Sequence, residues 1–221
     1  MILLGVCTLA DVPSSKPRRS PKPQERQRDP ERTRALILDA AEAEFAAHGF
    51  QGARTAAIAA RAGVNQQLIS YYFDGKHGLH QAMSQRWQER RTELVPPETP
   101  LPEQFRRYAL EALHNPDAVR LMTWGGLEYT GADSDPDHTP RARMLEHSVD
   151  ELRTLQEQGR LPAELDPAAL MVMLMAAAMA PTTLPHVIEG VYGTDPRTPE
   201  FLTHFADQVS LLVRALGRDT E

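Results

Sequence analysis

Residues 55–73, TAAIAARAGVNQQLISYYF, hold two short apolar faces of helical period. Ile58, Ala59 and Ala62 lie on one side of Gly63, and Leu68 or Ile69, Tyr72 and Phe73 on the other. Two faces this close together require a sharp reversal at the glycine, and a small residue such as Ala59 lets the two helices approach. Thr55 is placed to cap the first helix of the pair and Asn65 the second. These are the proportions of a helix-turn-helix. The second helix leaves Gln66, Gln67, Ser70 and Tyr71 on its other faces, side chains that can hydrogen-bond base edges or phosphate oxygens.

The flanking sequence supplies a support for this pair. Asp29-Pro30-Glu31 is the signature of a helix start, with an acceptor at the N-cap, proline at the first helical position and an acid in the first turn. Ile37, Leu38, Ala41 and Phe45 continue at helical spacing, and Gly49 ends the run as a left-handed cap. After FDGK, where Asp74 or Gly75 caps, Leu79, Met83, Trp87 and Leu94 mark a longer helix that VPPETPLP stops. Further helices are expected around residues 105–113, 119–129 (loosened by Gly125-Gly126), 145–159, 166–180 and 198–216, with TGADSDPDHTP as a loop. No segment alternates as a strand does, so the fold class is all-α: a three-helix helix-turn-helix domain followed by a helical domain. Residues 1–28, containing KPRRSPKPQERQR, are rich in proline and charge and are expected to form a disordered basic arm, either lying along DNA or solvated. The domain limits are then 29–78 and 79–221.

Charge divides the chain in the same place. Residues 16–91 carry 14 Lys and Arg against 8 Asp and Glu, whereas residues 92–221 carry 10 against 21, although the whole chain is at −6. A basic first third can meet a polyanion that the acidic remainder would repel. The single cysteine, Cys7, excludes an internal disulfide and a thiolate zinc cluster, and fits a reducing, cytoplasmic setting. The apolar opening lacks a basic segment before it and is a poor signal peptide, and no apolar run reaches the length of a membrane helix. Parts for an enzyme are lacking: there is no glycine-rich phosphate loop and no GxSxG. His77 and His80 are spaced so that they could share a metal, but surface or phosphate-proximal positions are expected for them; no metal and no cofactor is expected.

Residues 33–79 resemble the N-terminal DNA-binding domain of the tetracycline-repressor (TetR) family of bacterial transcriptional regulators. ILDAAEAEF followed by HGF is similar to the family's first helix and its glycine stop, IAARAGV to its second helix and turn, and LISYYFDGKHGL to its recognition helix running into a lysine. Arg54, Leu68 and Gly75 depart from residues common in the family at those positions. The resemblance implies contacts to double-stranded operator DNA from Arg54, Thr55, Asn65, Gln66, Gln67, Ser70, Tyr71, Tyr72 and Lys76, with Tyr72, Thr55 and Lys76 reaching phosphate. It also implies a homodimer through the last two helices, for which ALMVMLMAAAMA and the stripe between Phe201 and Leu216 are candidates. A small-molecule effector would occupy a pocket; Trp124, Glu128, Tyr129, Met144, His147, Met171, Met175 and His186 combine apolar bulk with a few polar groups in the way such pockets do. The rival expectation is a helical protein-interaction module of the same fold without specific DNA binding.

Overall fold

The computed structural model describes residues 23–135 and 138–217. Among them are ten α-helices, a 3-10 turn at Ala132–Ser134 and no strand: α1 (Pro23–Gly52), α2 (Thr55–Ala62), α3 (Gln67–Phe73), α4 (Gly75–Leu94), α5 (Leu101–His114), α6 (Pro116–Leu127), α7 (His138–Glu157), α8 (Pro167–Thr183), α9 (Pro185–Tyr192) and α10 (Pro199–Leu216).

α1 starts earlier than its capping signature predicts. The helix begins at Pro23 and passes through Pro30, so residues 23–28 are helical and not part of a disordered arm; the remainder of that arm, residues 1–22, lies outside the described residues. Proline suits the first helical position, and Gln, Glu and Arg between the two prolines are good helix formers. Pro30 therefore removes one backbone donor inside a helix that continues on both sides. Gly49 breaks the helix, but at φ 68° and ψ 178° it is not the left-handed cap expected, and one further turn follows up to Gly52.

The first core joins α1 to α4. Ile37, Ala41 and Phe45 of α1, Ile58 and Ala59 of α2, Ile69 and Phe73 of α3, and Leu79 and Met83 of α4 are all buried together. The expected boundary after residue 78 thus falls in the first turn of α4, whose first two turns pack into this core. Gly63 closes α2 in the left-handed conformation at φ 68°. Gly78 serves a different need, because a β-carbon there would lie 1.8 Å from the Phe73 carbonyl oxygen. Only glycine lets α4 start so close beneath α3.

The second core is built by α5, α7, α8 and α10. Phe105, Ala109, Leu152, Leu170, Leu174, Ala206, Val209 and Val213 fill it, with α5 lying along α10 and α8. Asp166 Oδ1 accepts from the Ala169 N–H at 2.7 Å, and Thr198 Oγ1 from the Phe201 N–H at 3.4 Å, so both N-terminal signals act as caps. α9 was not anticipated. It fits between Pro185, in its first turn, and the left-handed Gly193, and turns from α8 by 81°. No single helix among the described residues is long and apolar enough to cross a membrane. The two cores meet where α6 crosses α1.

Candidate nucleic-acid interface and adjoining cavity

The orientation of α3 follows from two residues. Ile69 and Phe73 are buried, at 1% and 5% exposure, which turns Gln67, Ser70 and Tyr71 outward; Tyr71 keeps 79% of its surface exposed. Asn65 Oδ1 accepts from the Gln67 N–H at 2.9 Å, so Asn65 holds the start of the helix from two residues upstream. The Gln66 side-chain amide donates to Thr55 Oγ1 at 2.9 Å, linking α3 to α2. Arg54, rather than Thr55, occupies the N-cap of α2, in extended conformation and exposed, and its N–H donates to Glu44 Oε1 at 3.3 Å. Glu44, buried in α1, was not singled out in the sequence; nothing local marks it, because its partner belongs to the next helix.

Tyr72 is half-buried with its ring edge-on to Tyr71 at 5.0 Å. Its carbonyl accepts from Arg34 Nη1 at 2.9 Å, while the Arg34 guanidinium lies 4.4 Å from the Phe73 ring centre, pinning the end of α3 to α1. Lys76 opens α4 but turns inward. Its ammonium donates to the Gln51 carbonyl at 3.2 Å and sits 4.8 Å from the Phe50 ring centre. Burial lowers its pKa, with the Glu128 carboxylate opposing the shift. His77 and His80 flank the same Phe50 ring at 4.7 and 5.2 Å, and no group of three or more metal-ligating side chains occurs among the described residues.

A cavity of about 1640 Å³ lies between α4, α5, α6, α7 and α8. Of the residues expected to contact an effector, Glu128, Tyr129, Met144, Met171 and Met175 line it. Trp124, His147 and His186 do not. Trp124 faces α1, where its indole N–H donates to the Ala46 carbonyl at 3.2 Å. His147 stands exposed on α7 beside Glu151 at 3.6 Å, because α7 turns Ser148 and Leu152 inward instead; His186 is exposed on α9. Sequence reasoning missed Trp87, Arg91, Tyr108, Glu111 and Met122 of the lining. Trp87 and Tyr108 were visible as apolar periodic positions, but nothing in their spacing distinguishes a cavity wall from a filled core. Arg90 pairs with Glu111 at 2.9 Å, and the Arg91 guanidinium lies 5.9 Å from the Tyr108 ring centre. Burial raises the Tyr108 pKa and the neighbouring Arg91 opposes it. The walls are therefore apolar with a band of charge, suited to holding an organic molecule with polar groups.

The cavity wall is tied to α1 by a small polar cluster. Arg86 of α4 bonds Asp39 of α1 at 2.6 Å and also pairs with Glu42, while Asn115, ahead of α6, donates to Glu42 at 3.4 Å.

Residues 37–83 match the family described as bacterial regulatory proteins, tetR family, and residues 101–202 match the tetracyclin repressor-like C-terminal domain. The HTH-type transcriptional repressor SCO4008 of Streptomyces coelicolor is 34% identical over 162 residues, covering 72% of this chain and 83% of its own. The HTH-type transcriptional regulator SrpR of Pseudomonas putida is 28% identical over 142 residues, covering 62% and 67%. Among solved structures, the transcriptional regulator SCO4942 from Streptomyces coelicolor superposes with a TM-score of 0.68 at 26% identity, covering 84% of this chain and 98% of that one. HlyIIR, a hemolysin II transcriptional regulator, shares the fold with a TM-score of 0.60 at 20% identity, covering 86% and 99%. The outward-facing α3 on a basic head and the helical body behind it thus have known counterparts along most of their length, and the chain belongs to the TetR family of ligand-responsive, DNA-binding transcriptional regulators.

Proposed function

We propose that the chain is a dimeric repressor that reads a near-palindromic operator with α3 and leaves it when a small molecule occupies the cavity. The observation that carries this reading is the outward display of Gln67, Ser70 and Tyr71 on a helix whose rotation is fixed by buried Ile69 and Phe73. In this assignment residues 29–78 are the DNA-binding domain and residues 79–221 the effector-binding and dimerisation domain, with α4 continuous across the boundary. Base edges are read by Gln66, Gln67, Ser70 and Tyr71, and phosphates are met by Arg54, Thr55, Asn65, Tyr72 and Lys76. Gln66 and Lys76 have intramolecular partners, which DNA would have to replace.

Dimerisation is assigned to the face formed by α8 and α10, where Val172, Met173, Leu211 and Leu212 are each at least half exposed. A two-fold pairing would bury them against their own copies and set the two α3 helices in successive major grooves, about one turn of DNA apart. Such a regulator works on the chromosome, in the cytoplasm. An occupant of the cavity releases the operator to the extent that it binds the off-DNA conformation better. The test is fluorescence anisotropy with fragments of the protein's own promoter region and a scrambled control across a salt series. Tight, sequence-dependent, salt-sensitive binding is expected. Equal and weak binding of both duplexes under every condition would favour a protein-interaction role instead.

A further inference from the structure

Glu128 occupies a position that neither domain explains alone. It follows the last turn of α6, lines the cavity, and accepts hydrogen bonds from the Phe50 and Gln51 N–H groups, each at 3.2 Å, in the turn that ends α1. That turn begins after the break at Gly49, so its first N–H groups lack helical partners and need an outside acceptor. A side chain from the other domain supplies it, 77 and 78 residues further along the chain. The approach is close: a β-carbon at residue 49 would lie 2.5 Å from Glu128 Oε1 and 3.1 Å from the Trp124 ring. The Gln51 carbonyl on the same turn accepts from Lys76, which links the turn to the start of α4 directly below α3. The segment bearing Glu128 is itself weak, since Gly125 and Gly126 lie in the last turn of α6 with nothing within 4 Å of where their β-carbons would be.

We propose that Glu128 is the positioning residue through which the cavity acts on the DNA-reading head. Its carboxylate belongs at once to the cavity wall and to the end of α1, so a cavity occupant that moves or engages it withdraws the acceptor from residues 50 and 51. The turn then loosens together with its hold on Lys76 and the start of α4. This inference rests on the regulator reading above.

The experiment is amide hydrogen exchange of the full chain, free and bound to a promoter duplex, for the wild type and for Glu128→Ala, Glu128→Gln and Trp124→Phe. Free Glu128→Ala is expected to exchange about tenfold faster at Phe50 and Gln51, with Ile58 and Ile69 unchanged as controls for the head core. In the wild type, DNA binding is expected to alter exchange both in α3 and in residues 119–127 of α6. In Glu128→Ala the response in α3 is expected to remain and that in α6 to vanish; Glu128→Gln, which keeps one acceptor oxygen, should restore part of it. Trp124→Phe removes the neighbouring indole bond but keeps the ring, and is expected to leave the α6 response largely intact. An undiminished α6 response in Glu128→Ala, or no α6 response in the wild type that binds DNA, would overturn the proposal. Failure of the wild type to bind any promoter duplex would instead count against the regulator reading and withdraw this inference with it.

Discussion

Tyr71 and Gln67 lie outside the head core, whose buried side of α3 is taken by Ile69 and Phe73; Tyr71 is 79% exposed and meets the Tyr72 ring edge, so truncating either residue is expected to leave the head folded. Tyr71→Ala or Gln67→Ala is expected to weaken operator binding by about 1–3 kcal/mol while binding to the scrambled duplex changes little, as measured by anisotropy. Equal loss on both duplexes would show that the readout lies elsewhere. Gly78→Ala should behave in the opposite way. Its added carbon meets the Phe73 backbone, so a stability loss of about 1–3 kcal/mol is expected from the shift of the urea midpoint, and a midpoint matching the wild type would refute the close approach. The outward residues of α3 were legible because helical period alone sorts them from Ile69 and Phe73. The intramolecular bonds of Lys76 and Glu128 were not, since their partners lie 25 residues away in one case and 77 to 78 in the other. Spacing carries no information about a contact between elements that only folding brings together.

The helices follow their local signals where caps and prolines agree. Asp166-Pro167 and Thr198-Pro199 start α8 and α10 as expected, each with the side-chain bond that its cap implies. α1 departs because the same Asp-Pro signature occurs inside a longer run of helix formers, and a proline tolerated within a helix leaves the mark of a start. α9 escaped notice although Val187, Ile188, Val191 and Tyr192 recur at helical spacing between Pro185 and Gly193. Gly125 and Gly126 raise a question that belongs to α6 as a unit: neither has a positive φ or a neighbour that would exclude a side chain. Gly125→Ala and Gly126→Ala are each expected to raise stability by about 0.8–1 kcal/mol, read from urea unfolding. Unchanged or lower stability would refute the reading that these glycines weaken the last turn of α6.

Dimerisation governs how the assembled protein meets DNA. Val172 and Met173 on α8 and Leu211 and Leu212 on α10 are large apolar side chains left at least half exposed, which the proposed two-fold pairing would cover. Joint replacement Leu211→Glu with Leu212→Glu is expected to yield monomers in sedimentation velocity and to reduce operator affinity more than tenfold, because a monomer engages one half-site and loses the effective concentration of its partner. A dimer that survives both charges would move the interface to another face. The all-α class, the helix-turn-helix and the separation of a basic head from an acidic body were readable directly, because period, capping residues and charge are properties of neighbours in the chain. The extent of the cavity and the residues that wall it were not, since Trp87, Tyr108 and Met122 line it only once α4, α5 and α6 have taken their places. The same holds for the joint between head and body. Local sequence determines which segments become helices and which side of each is apolar, whereas the meeting of Glu128 with the end of α1 depends on how two cores dock, a property that no stretch of the chain carries by itself.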